Sequence, residues 1–142
     1  MNSSSKSEKI NVSYEMGLLP KLMSIPGNPI SVKWQVDESQ ENAGNLVALL
    51  EYSSEDKKYI LDNSNKFENP SSDRINAKFY DSWIPEDAKI GIEVKKLDKV
   101  YELTKVIPLL PNLFTQTKLS PYVNGSITPL SDGYIFIALY SR

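Results

Sequence analysis

The chain has 142 residues with no Cys and no His, and its 18 acidic against 16 basic residues leave a net charge of -2. This excludes a disulfide scaffold, a histidine switch, thiol chemistry and soft metal ligation, and the sign is wrong for a protein whose main task is to neutralise phosphate. The length predicts one domain, and no run approaches the ~20 apolar residues of a membrane-spanning helix.

In chain order, residues 1–9 are Ser/Lys-rich and predict a flexible N-terminal arm. They lack the apolar segment of a secretory signal, so the expected compartment is the cytoplasm, or a virion if the protein assembles. Ile10, Val12, Tyr14 and Met16 alternate with polar residues and predict a strand, as do Ile30, Val32, Trp34 and Val36. Between them, 17–29 is an apolar loop punctuated by Pro20, Pro26 and Pro29. Leu46–Leu50 is apolar on both faces, and Ser53-Ser54-Glu55-Asp56 reads as a hairpin loop leading to a strand at Lys58–Leu61. Strands are also predicted over Ile75–Tyr80 and Ile90–Lys95. The stretch 97–107 is compatible with strand or helix, and its β-branched and aromatic content favours strand. A second apolar, proline-punctuated loop occupies 106–114. Asp132-Gly133 then turns the chain into Tyr134–Tyr140, the strongest strand signal present.

Such a series of about eight or nine short strands separated by turn residues predicts an all-β domain over 10–142. The expected architecture is a two-layer antiparallel β-sandwich of jelly-roll-like form. The very apolar final strand suits a jelly roll, whose terminal strands pair centrally.

Function is legible only through surfaces. In a two-layer sandwich one face of each sheet is wet, yet Tyr134, Phe136, Ala138 and Tyr140 oppose Ile135, Ile137 and Leu139 on the last strand. Something must cover the second face, either a loop of the same chain or another subunit. The candidate interface residues are therefore Leu18, Leu19, Leu22, Met23, Leu109, Leu110 and Leu113 from the loops, and Ile135, Ile137 and Leu139 from the strand. Trp34 shares the apolar parity of its strand and is expected in the core. Trp83, where a strand breaks into a loop, is the candidate exposed platform for a ligand, with carbohydrate the first choice.

Three motifs carry less. Lys105-x-x-Pro108-x-x-Pro111 has the form of a polyproline ligand but sits in an apolar stretch. Asp62-Asn63-Ser64-Asn65 is oxygen-rich, but Phe67 and Asp73 stand where an EF-hand loop needs Gly and Glu, so no metal is expected. No nucleophile elbow, phosphate loop or dinucleotide fingerprint occurs, and no carboxylate pair stands out. The expectation is a non-enzymatic, self-associating structural or assembly protein of the coat, shell or virion-associated kind, without a cofactor. A homo-oligomer is the expected partner state, with no nucleic-acid binding and no membrane insertion. The alternative is a ligand-binding β-sandwich module.

Overall fold

The computed structural model of the protein describes residues 12–37, 45–117 and 120–141. The predicted arm 1–9 and the start of the first predicted strand, at Ile10, lie outside the described residues. The strands are β1 (Ser31–Asp37), β2 (Asn45–Glu51), β3 (Asp73–Asn76), β4 (Val94–Lys96), β5 (Val100–Leu103), β6 (Tyr122–Pro129) and β7 (Tyr134–Ser141). They form two antiparallel sheets, a larger one ordered β1-β2-β7-β6 and a smaller one ordered β3-β5-β4. The helices are few: α1 (Leu19–Leu22), α2 (Ser54–Asn63), α3 (Ala77–Trp83) and a 3-10 turn at Glu86–Lys89. Among the described residues no helix is long and apolar enough to cross a membrane.

The larger sheet is apolar on both sides, and each side has its own cover. Leu46, Ala48, Leu50, Ile127, Ile135, Ile137 and Leu139 pack with Leu19 and Met23 of the 17–29 loop, Ile60 of α2 and Phe114 of the second loop. On the opposite side Leu49 and Phe136 pack with Tyr80 and Trp83 of α3, Ile75 of β3 and Leu103 of β5. The smaller sheet and α3 therefore lie over one face, while helices and loops make a third layer over the other. The two antiparallel sheets fit the expected β-sandwich, and the second face that demanded a cover is covered by the chain itself.

Several predicted strands are something else. Residues 12–16 contribute only an isolated bridge between Ser13 and Trp34 at the outer edge of β1. The segment Lys58–Leu61 is the middle of α2. Ser53 caps this helix by accepting from Asp56 N at 3.1 Å, and Glu55 and Asp56 sit in the first turn where the helix dipole favours them. Ile75 is in a strand, but Asn76 accepts from Phe79 N at 3.0 Å and starts α3. Helical spacing then brings Phe79 and Trp83 into a ring stack with centroids 4.9 Å apart. Of 90–95, only Val94 and Lys95 lie in a strand. The stretch 97–107 contains the strand β5.

One strand was not predicted at all. β6 carries Gly125 and Pro129, which read as punctuation, and its pairing with β7 shifts register between Tyr122 and Asn124. With β6 included, seven strands are found among the described residues, divided four and three.

Candidate functional site

The predicted interface residues separate into two groups. Leu19, Met23, Ile135, Ile137 and Leu139 are buried within the chain and present no surface to a partner in this fold. Leu22, Leu109, Leu110 and Leu113 are half-buried, and only Leu18, 61% exposed, stands clear. The two apolar loops do lie together. Ser24 N donates to Phe114 O at 3.1 Å, Ser24 Oγ donates to Leu113 O at 2.9 Å, and Gln116 N donates to Ser24 Oγ at 3.0 Å. They meet over the first core cluster, so they close one side of the larger sheet.

Trp83 is not an exposed platform. It is 8% exposed and lies between Phe79 and Phe136, with the Lys33 ammonium 4.5 Å from its ring centre. Its Nε1 donates to Gln35 Oε1 at 2.9 Å, and Lys33 Nζ donates to its carbonyl at 2.5 Å. Burial lowers the pKa of Lys33. Trp83 thus anchors α3 to β1. Trp34, expected in the core, is half-buried against it and donates through Nε1 to Glu15 O at 2.7 Å. In the polyproline-like motif Pro111 is buried, which removes it from any solvated ligand peptide. Asp62 ends α2 in an ion pair with Lys58 at 2.8 Å.

Among the described residues, the cover that α3 gives this face stops at Phe79. Beyond Phe79 there is a cavity of about 250 Å3 whose lining includes Gln35, Asn45, Val47, Phe79, Ala138 and Tyr140. Register explains its chemistry. Asn45 and Asn124 both stand directly opposite Tyr140, one on each neighbouring strand, so the three share one face in a row. The next row on the same face is Gln35, Val47, Ala138 and Ser126. An apolar stripe of Tyr140, Ala138 and Val47 is thereby edged on both sides by amides and a hydroxyl. Tyr140 is 49% exposed, and Gln35, Asn45, Asn124 and Ser126 are half-buried. The side chains named in this lining are uncharged, and Asp37 of β1 continues the first row beyond Asn45 in register. Sequence reasoning missed this site because alternation alone assigns Tyr140 to the core with Phe136; the signal lies in which residues register places beside it.

Two of the larger clefts have several of their polar groups already engaged. One, of about 500 Å3, runs along α2, where Lys57 Nζ donates to the carbonyls of Leu130 and Asp132 and clamps the helix to the β6–β7 turn. The other, of about 520 Å3, is lined in part by Asp73, Arg74 and Glu102. Asp73 Oδ2 accepts from the Thr128 hydroxyl and Oδ1 from Arg74 N at 2.9 Å, while Arg74 Nη2 lies 3.8 Å from Glu102 Oε1. The Asp73–Thr128 bond ties the smaller sheet to β6.

Burial raises the pKa of Asp73 against the lowering effect of those two hydrogen bonds. A carboxyl raised in the fold contributes stability that is full below its ordinary value of 3.8 and is lost as pH rises through the folded value. Asp73→Asn keeps an oxygen for Thr128 and removes the buried charge. It should gain stability relative to the parent at pH 7, and the gain should shrink as pH falls toward about 4. Urea melts at both pH values measure this; a loss at pH 7 that shrinks toward about pH 4 would show that the carboxylate is needed for its charge.

Comparison with protein-family profiles, with curated proteins and with solved structures found no match.

Proposed function

We propose that this protein works by binding, without catalysis, and that its ligand docks on the end of the larger sheet around the half-exposed Tyr140. The observation that carries this is the Asn45–Tyr140–Asn124 row beside a cavity of about 250 Å3. A half-exposed aromatic ring flanked by amide groups is a surface with both adhesion and direction, and it costs solvation to leave bare. The apolar stripe that suggested a partner subunit is otherwise filled by the chain's own loops and helices. The test is a 15N-HSQC screen of the full chain against small uncharged fragments. Hits should perturb Gln35, Asn45, Val47 and Tyr140 together; hits that gather at Asp73 and Arg74 would move the site to the other cleft.

A second reading keeps the expectation of a self-associating coat, shell or virion-associated subunit. It is favoured by the exposed apolar side chains of Tyr14, Met16 and Leu18, on the segment that bridges to β1. Sedimentation at about 100 μM, well above the dissociation constant of a standard-size interface, decides it. A species larger than the monomer that Tyr14→Ser with Leu18→Ser dissociates supports assembly; a monomer removes it.

A further inference from the structure

We infer that the ligand of the Tyr140 face is a neutral polyhydroxylated ring, a pyranose unit of a glycan, stacked on Tyr140 and oriented by Asn45 and Asn124; this rests on the reading that the face binds. Three features select that chemistry. The side chains that line the cavity at Gln35, Asn45, Val47, Phe79, Ala138 and Tyr140 are uncharged, so none of them offers a counter-charge to a phosphate, carboxylate or ammonium group. β2 and β7 are interior strands, each paired on both sides. Their backbone groups are therefore engaged in ladders and only side chains can read a ligand, which disfavours an added peptide strand.

The third feature is the arrangement itself. Each primary amide offers one acceptor and two donor hydrogens, which suits a hydroxyl group that both donates and accepts. Neighbouring strands lie about 4.8 Å apart, so the two asparagines stand roughly 10 Å apart across the tyrosine. One sugar ring fits between them with its C–H face on the aromatic ring and its hydroxyl rim toward the amides. The second row repeats the pattern, with Val47 and Ala138 between Gln35 and Ser126. Gln35 has its oxygen committed to Trp83 Nε1, so it would serve a hydroxyl as a donor.

The experiment titrates the 15N-labelled full chain with the methyl glycosides of glucose, galactose, mannose and N-acetylglucosamine. At least one should give saturable shifts at Asn45, Asn124 and Tyr140 with a dissociation constant in the millimolar range, the scale of ~4 kcal/mol of binding. Tyr140→Ala should weaken that binding about tenfold or more and Tyr140→Phe should preserve it, since stacking needs the ring and not the hydroxyl. Asn45→Ala with Asn124→Ala should also weaken it. Spectral dispersion checks that each variant is folded, and Tyr140 is exposed enough to be replaced without opening the core. Uncharged dipeptide amides and nucleosides are titrated alongside. Saturable shifts from either, with none from the glycosides, would overturn the glycan assignment and leave the binding face standing. No response to any of these probes would overturn both.

Discussion

Replacing Ile137 by Asp is expected to unfold the protein. Ile137 is fully buried in the middle of β7, paired in register with Ala48 on one side and Ile127 on the other. Its cluster includes Leu19, Ile60 and Phe114, and it holds no charged side chain to meet a carboxylate. Burying an unpaired carboxylate costs several kcal/mol even after it shifts its pKa or draws in water, against a total stability of about 5–15 kcal/mol for a domain. Ile137→Val, which removes one methylene, should cost only about 0.5–1.5 kcal/mol. Circular dichroism melts of the two variants give the comparison. Because the chain's own helix and loops cover this face, the Asp variant should lose its cooperative melt through loss of the core and not through loss of a subunit contact at Ile137. An Asp variant that melts at the parent's Tm would mean that β7 does not sit where the register places it.

Gly125→Ala is the second large effect. Gly125 has φ of 143°, a region L-residues avoid, and a Cβ there would stand 2.0 Å from Ala138 O and 2.8 Å from Leu139 Cα. Both atoms are backbone of the neighbouring strand, so neither can swing aside. β6 must lose pairing with β7 or bulge outward, and the expected loss is about 3 kcal/mol, near 10 °C in Tm for a chain of this size. Gly91→Ala separates the two causes. Gly91 also has positive φ, at 77°, but nothing lies within 4 Å of its added Cβ, so it should show the conformational strain alone, about 1 kcal/mol. Equal effects at the two glycines would show that the clash at Ala138 is relieved at no cost.

Three of the strands with period-two or unbroken apolar patterns were legible to within about a residue at their ends, whereas the equally clean alternation at 12–16 gives only a bridge to β1. The predicted 30–36, 46–50 and 134–140 correspond to β1, β2 and β7. The short helices were not, because α2 exposes most of its residues and has only Ile60 fully buried, so four adjacent residues from Lys58 to Leu61 mimic a strand. Its cap at Ser53 was the available signal. β6 was hidden by Gly125 and Pro129, since a glycine that lets two backbones approach looks the same in a sequence as a glycine in a turn.

The same limit governs the site. Composition and periodicity determine, without any tertiary information, that this chain builds antiparallel sheets and that the last strand must be covered on both faces, because apolar area on alternate residues cannot all face water on either side. Which residues do the covering is a question of long-range packing. Leu19 and Phe114 reach β7 from segments far apart in the chain, and no local pattern announces that they will. Only the tertiary structure decides that Trp83 is enclosed by Phe79, Phe136 and Lys33 while Tyr140 lies open between Asn45 and Asn124. Aromatic residues of like hydrophobicity are told apart by where α3 ends over the sheet, and by cross-strand register, which joins positions 45, 124 and 140 through space rather than along the chain.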